Sequence, residues 1–322
     1  DISPTTSFGK LAAIVIMFIG IVYAGVLTGN ITSWLVERNR RRVLGLVPIK
    51  RKSDHILILG WKQGMKRLLK DIIQLHHIDP DNLTLVNTFD PQEVNDLRTD
   101  PLLKNINYYS GDFTSNTVLQ NACGETANKV LILSEDFSGK SSDEIDFKTV
   151  LATIAIKRIK PDIYTIAEII QPKFSLYLQH VDVEEIILNR HSARSLLSNI
   201  ALMSGLNSVF SRFFSLNEGV LRIVPIDSKL IGSTYREVKR NIKDRIVLGV
   251  IENTGNLRHS KKEKMELVMK SVSINNAIKE LMEIKTMKSN VPVFHPAPSY
   301  LIKPKSSLIV LDVDPGTLNS AD

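Results

Sequence analysis

The sequence predicts an α/β protein: one membrane-spanning helix, then a Rossmann-like domain built on a doubly wound parallel sheet, a helix-turn-helix segment, and a small α+β subdomain. Three observations predict it. No charged residue occurs from Leu11 to Val36. From His55 to Leu188, short apolar runs of strand character alternate with segments of helical period. After Val220 the runs shorten and cease to alternate regularly with helices.

The uncharged stretch opens with LAAIVIMFIGIVYAGVL and at 1.5 Å per residue reaches about 39 Å, enough to cross a bilayer. A signal peptide carries its positive charge before the apolar run; here Arg38, Arg40, Arg41, Arg42, Lys50, Arg51 and Lys52 all follow it. The carboxyl end is therefore expected in the cytoplasm, with Trp34 as an interfacial anchor. Gly20, Gly25 and Gly29 are costly in a mere anchor, because each glycine weakens a helix by about 1 kcal/mol relative to alanine; they suit close packing or bending. The first residue is Asp1 rather than methionine, so the chain is read as an interior piece of a longer protein.

The net charge of +7 is assigned to lipid headgroups rather than nucleic acid, since aromatics are only 6% and do not interleave with basic runs. Cys123 is the only cysteine, which excludes an internal disulfide or a thiolate metal cluster and leaves it a small buried residue at a helix end. VLGLVPIK, with Gly45 and Pro48, is not expected to be continuous helix.

HILILG is the first strand, ending at Gly60, and WKQGMKRLLKDIIQLH is a helix whose Met65, Leu68, Leu69, Ile72 and Ile73 share a face. Further strands are expected at Leu83–Asn87, Ile106–Asp112, Lys129–Ser134, Asp162–Ile169 and Glu184–Leu188. Helices are expected at Pro91–Arg98, Asn116–Ala122 and Ile145–Ile159. Near-continuous apolar strands of this kind form a parallel sheet covered on both faces. Ligands of such sheets bind beyond the carboxyl ends of the strands, which gathers Gly60, Trp61, Lys62 and Gly64 with Asn87, Asp112, Ser134 and Glu168 around one crevice. The dinucleotide fingerprint is broken there: Lys62 and Met65 stand at its second and third glycine positions, and Asn87 replaces the ribose-binding carboxylate. A redox cofactor is disfavoured, although Lys62 has the charge to hold a phosphate.

From about His191 a helix pair, SARSLLSNIALMSGLNSVFSRFF, breaks near Gly205 and Asn207, and its apolar faces suit either a partner subunit or intradomain cover. Strands are expected in GVLRIVPI, RIVLGVIEN and SSLIVLDV. The polar segment from Arg258 to Lys288, with seven lysines and four glutamates, reads as a solvated, partly helical insertion. The domain division is 1–37, 38–52 (basic linker), 53–190, 191–218 and 219–322.

DISPTTSFGK resembles the segment that follows the selectivity filter in potassium channels, and IMFIGIVYAG resembles their inner pore helix. HILILGWKQG, YYSGDFT and YTIAEI resemble the first, third and fifth strands of the RCK domain, the regulator of potassium conductance. The resemblance, to prokaryotic calcium-gated channels of this type, covers nearly the whole chain. It implies a gating hinge at Gly20 or Gly25, and a homotetramer in which RCK–RCK dimer contacts, made by the helix pair, build a cytoplasmic gating ring on a multi-pass inner-membrane pore permeable to potassium. It further implies calcium, another divalent cation or an adenine nucleotide as ligand. Of the three carboxylate positions of calcium-gated members, only Glu168 remains one; Ser134 and Ile170 fill the others, with Glu135 and Asp136 adjacent as substitutes. Asp143, Glu144 and Asp146 form a second acidic cluster, read as a solvated helix start. The alternatives are a soluble RCK regulatory subunit of a potassium transporter, which would lack the apolar helix, and a membrane-anchored NAD-binding oxidoreductase, which would need the intact loop and a catalytic acid or base; no enzyme activity is expected.

Overall fold

The computed structural model describes residues 4–49, 52–88, 91–135, 139–214, 221–242, 244–269 and 274–312. Helix α1 (Ser7–Val43) is capped by Thr6, whose hydroxyl accepts the Gly9 amide at 3.2 Å, and it closes on Arg40, Arg41 and Arg42. At 37 residues it is about 55 Å long and buries none of them, so its apolar surface has no cover within the chain. The helix runs six residues into the segment assigned to the linker. Gly20 and Gly25 lie inside its unbroken course, with no atom within 4 Å of a Cβ placed on either.

The next unit follows the predicted alternation: β1 (Ile56–Leu59), α2 (Met65–His76), β2 (Leu83–Asn87), α3 (Pro91–Arg98), β3 (Asn107–Ser110), α4 (Asn116–Asn121), β4 (Lys129–Ile132), α5 (Ser142–Ile159), β5 (Tyr164–Ile169), α6 (Ser175–His180) and β6 (Glu185–Leu188). The strands are parallel in the order β3-β2-β1-β4-β5-β6, so the topology reverses between β1 and β4. The period of two along β1 divides the core: Leu57 and Leu59 pack with Phe113, Leu119 and Ile156 on one face, while Ile58 packs with Met65, Leu69 and Leu85 on the other. Helix α2 starts at Met65 rather than Trp61, because Gly64 (φ +81°) adopts a left-handed conformation that no continuing helix tolerates. Helix α5 starts earlier than expected, at Ser142, fixed by a capping box between Ser141 and Glu144.

Helices α7 (Asn189–Leu202) and α8 (Leu206–Phe214) flank the predicted break, and α7 buries no residue in the chain. The terminal unit contains β7 (Leu221–Pro225), α9 (Tyr235–Asn241), β8 (Arg245–Glu252), α10 (Leu257–Met269), α11 (Ile274–Lys285), β9 (Val291–Phe294) and β10 (Ser307–Asp312). Its sheet is antiparallel, β7-β10-β8-β9, over a core of Tyr235, Val238, Val250, Ile302 and Leu308.

The segment read as a solvated, partly helical insertion contains two helices, α10 and α11, and is not wholly solvated: Val268 and Ile284 are buried, as is Leu257 at the start of α10. Its many charged residues concealed these few buried apolar positions. A buried carboxylate ties its start to the parallel sheet: Glu184 accepts from Lys157 Nζ (3.0 Å), the Thr165 amide (2.7 Å) and Asn256 Nδ2 (2.9 Å). Burial pushes Glu184 up and Lys157 down from their ordinary pKa values, and these donors oppose it by holding the charged form.

Between α1 and β1 the chain is fastened down. Gly45 (φ +69°) offers its carbonyl to the Ser110 amide at 2.8 Å, on the outer edge of β3, and the Ile49 amide donates to the Asn121 carbonyl at 2.9 Å. Lys52 pairs with Asp81. Cys123 is half-buried rather than buried, and its thiol donates to the Ile49 carbonyl at 3.4 Å.

Candidate functional site

The carboxyl ends of β1, β2, β4 and β5 converge as the sheet topology demands. Gly60 (φ +97°) follows β1, and a Cβ there would stand 3.0 Å from the Leu133 carbonyl oxygen, so only glycine turns here without strain. Gly64 faces open space. Trp61 does not reach the mouth of this loop; it is buried with Met65 and Leu133 behind it.

Lys62 and Glu168 meet. The Lys62 ammonium pairs with one carboxylate oxygen of Glu168, and the other accepts the Ser134 amide at 3.1 Å. Glu168 is 4% exposed and Ser134 fully buried, and the Ser134 hydroxyl has no hydrogen-bond partner. Glu135, also 4% exposed, turns away from Glu168 and takes Lys148 Nζ at 2.7 Å, which itself lies 4.2 Å from the centre of the Phe113 ring. Each buried carboxylate of the crevice thus already carries its own ammonium. Burying a charge is costly unless it is paired, and lysine supplies the pair here.

That arrangement does not fit a divalent cation. Calcium requires six to eight oxygens, and among the described residues no three acidic, histidine or cysteine side chains converge. Asp136, the third expected carboxylate, lies outside the described residues. The second acidic cluster is dispersed. Asp143 pairs with Lys173 at 2.7 Å and Glu144 belongs to the capping box, whereas Asp146 is fully buried rather than solvated. Asp146 accepts the Ile170 and Gln171 amides at 2.8 Å each, and burial raises its pKa against those two bonds.

Beside the loop, a cavity of about 280 Å³ is lined by Phe113, Leu133, Glu135, Glu144 and Lys148. Asn87 is fully buried at the end of β2 and accepts from the Tyr108 hydroxyl at 3.2 Å. Asp112 is exposed beyond β3, where its carboxylate accepts the Thr114 amide at 3.1 Å, away from the Lys62–Glu168 pair.

Sequence reasoning missed three residues. Lys148 neutralises Glu135, and the signal for it was a buried carboxylate at a strand end that had to find a cation. Tyr108 links Asn87 to the linker: its ring lies where a Cβ on Gly45 would come within 2.6 Å. Gly45 was noticed as a break in helix, but not as the docking point.

Residues 51–167 match the family model of the calcium-activated potassium channel slowpoke-like RCK domain. The putative potassium channel protein YugO of Bacillus subtilis is 26% identical over 187 residues, 58% of this chain and 53% of its own length. The calcium-gated potassium channel TvoK of Thermoplasma volcanium is 24% identical over 263 residues, 80% of this chain and 72% of its own. The human SLO3 gating ring superposes with a TM-score of 0.49 at 12% identity, over 83% of this chain and 46% of that one. The chain spans about half the length of the first of these relatives, 53%. The resemblance carried by HILILGWKQG and YYSGDFT is borne out, since both lie within the matched segment.

Proposed function

We propose that this chain forms the inner helix and cytoplasmic RCK unit of a ligand-gated potassium channel subunit. One observation carries the reading: a long apolar helix with no cover of its own runs into an RCK-matched domain through a connection hydrogen-bonded to that domain's edge strand. A regulatory subunit without a membrane segment has no use for α1. On this reading the filter precedes Asp1, potassium is the permeant ion, and four copies enclose the pore, with α7 and α8 covering one another between neighbouring subunits.

The crevice suits an anionic ligand better than a metal ion. A phosphate group reaching the Gly60–Gly64 loop would compete with Glu168 for Lys62, whereas a divalent cation would have to displace both lysines. We therefore assign an adenine nucleotide, rather than calcium, as the ligand between β1 and β4. The broken fingerprint argues against hydride transfer, so the domain senses rather than catalyses.

The full-length protein, reconstituted in planar bilayers under a potassium gradient, is expected to reverse near the potassium equilibrium potential. Reversal near zero with mixed sodium and potassium refutes potassium selectivity. In calorimetric titrations ADP or ATP should bind and calcium should not; the opposite result reassigns the crevice.

A further inference from the structure

The segment that leads from α1 into β1 lies along the turn between α4 and β4. Ile49 bonds Asn121 through its amide and the Cys123 thiol through its carbonyl. Further on, the Thr126 hydroxyl donates to the Lys52 carbonyl, the Asp54 amide donates to the Thr126 carbonyl at 3.1 Å, and the His55 carbonyl accepts the Asn128 amide at 2.9 Å. Each of these bonds ends on a residue between 121 and 128, so together they form a seam between linker and turn. The turn itself is tight: Cys123 takes a left-handed conformation (φ +59°), and a Cβ on Gly124 would stand 2.9 Å from the Leu119 carbonyl oxygen.

The His55 ring sits at the inner end of this seam. It is fully buried, and neither ring nitrogen has a hydrogen-bond partner among the described residues. A proton would turn it into an imidazolium, with two N–H donors and a charge to satisfy. The surroundings offer little to such an ion. Lys52 on the linker and Lys160 at the end of α5 oppose the proton, and Asp54, exposed on the linker, favours it. From the turn, the Ala122 backbone also favours it, though it forms no hydrogen bond to the ring. Lys160 is fixed in place, since its ammonium donates to the Ala127 carbonyl at 2.8 Å. Burial outweighs all of these and holds the ring below its ordinary pKa.

A cation so placed needs water, and one wall can yield to admit it. Ala122 and Ala127 of the turn and Ile156 of α5 belong to the core, whereas Lys52 to Asp54 do not and are tied down by hydrogen bonds.

We propose that His55 is a proton-operated latch: with a neutral ring the linker lies closed on the α4–β4 turn, and in acid the charged ring parts the two and loosens the attachment of α1 to the RCK-matched domain. The seam stands on the geometry of the domain alone; its consequence for conduction rests on the proposed function. A ring freed from the seam titrates near 6.5, so closure is complete above that pH and weakens below it, by up to about tenfold per pH unit. The Gly45–Ser110 bond lies outside the seam, so the loosening is partial.

The full chain in discs of phosphatidylcholine is followed by amide-resolved hydrogen exchange at about pH 7.5 and about pH 5.5, with each rate corrected for intrinsic exchange. The Asp54 and Asn128 amides should lose about three- to tenfold in protection in acid, and His55→Leu should remove that loss. At both pH values they should exchange faster than the amides of β1, which open with the whole domain. Unchanged protection in acid, or protection equal to that of β1, overturns the latch. Where His55→Leu does not fold, exchange of the ring C2–H in the parent decides. Its midpoint should lie below the roughly 6.5 of a free imidazole, and a midpoint at or above that value overturns the latch. In bilayers, acid on the cytoplasmic side should lower ADP-dependent opening of the parent and spare His55→Leu; equal losses in both overturn the role in gating. A parent that passes no current at either pH refutes the proposed function, while the exchange result still decides the latch.

Discussion

Gly45→Ala is the sharpest perturbation of the coupling between α1 and the RCK-matched domain. At φ +69° an alanine pays about 1–2 kcal/mol for the left-handed conformation. Its Cβ would also stand 2.6 Å from Tyr108 Cδ1 and 2.8 Å from the Ser110 nitrogen, both held by the sheet, so the linker must move. Movement breaks the Gly45–Ser110 hydrogen bond, a further ~0.5–1.5 kcal/mol. The sum, about 1.5–3.5 kcal/mol, is set against what gating needs. Shifting a pore from 1:99 to 99:1 takes about 5.5 kcal/mol, or about 1.4 kcal/mol per subunit when four share it. The substitution thus costs the docked linker as much as or more than the signal it must pass. Open probability measured against ADP concentration in bilayers should lose most of its ligand dependence in Gly45→Ala, while ADP affinity measured by calorimetry stays within about threefold, under 1 kcal/mol. Leu46→Ala, an exposed neighbour, is the control and should behave as the parent. An unmoved open-probability curve in Gly45→Ala would falsify the docking argument.

Three further outcomes follow from the same geometry. A flexible Gly-Ser insertion after Pro48 lies between the anchors at Gly45 and Ile49, so it should weaken ligand-dependent opening much less than the same insertion after Leu44; the reverse ranking in bilayer recordings would mean that force passes along the linker rather than through Gly45. Lys62→Met strips Glu168 of its counter-ion, leaving the Ser134 amide, and should lower the unfolding free energy by about 1–3 kcal/mol while weakening ADP binding; Glu168→Gln should leave any calcium response unchanged, and loss of such a response restores a metal site. His55 is fully buried, and its pKa is lowered chiefly by burial, partly offset by the backbone at Ala122. The unfolded chain therefore binds a proton near 6.5 that the folded one refuses, so stability is full above about 6.5 and falls as pH drops below it; denaturant midpoints between pH 7 and 5 should show a slope that His55→Leu reduces, and an unchanged slope refutes the assignment.

The parallel sheet was legible because its strands are apolar on both faces and its turns carry glycine. Leu83–Asn87 matched the observed strand to the residue, since burial on both faces leaves no register ambiguity. Short elements were less legible. β9 is Val-Pro-Val-Phe at a sheet edge, where the proline that disguises it is tolerated. α6 and α9 are six and seven residues long, too short to show a period. The crevice was located by topology alone, but its charge state was hidden. Glu168 and Glu135 read as metal ligands in sequence because their neutralising lysines stand 106 and 13 residues away. Long-range pairing of that kind leaves no local pattern. The same holds for Gly45, whose need for a positive φ depends on Tyr108, a residue on another element.

The position of that tyrosine constrains how a ligand can act. β3 has four residues, about 13 Å, and every one of them is locked in register to β2. A strand so held cannot stretch to relay a displacement. Yet Tyr108 touches both ends of the path: its hydroxyl donates to Asn87 at the crevice, and its ring packs against Gly45 in the linker. On the crevice side the Gly111 amide, one residue beyond β3, also bonds the Asn87 carbonyl at 2.9 Å. Ligand binding that reorients the end of β2 must then either turn the Tyr108 ring against Gly45 or carry the whole edge of the sheet as a rigid body. Both displace the first residues after α1, and neither requires the linker to act as a spring. Edge strands usually leave their outward amides to water; here the Ser110 amide takes the Gly45 carbonyl just beyond α1 instead, so on the proposed reading the sheet's edge is where the domain would act on that helix.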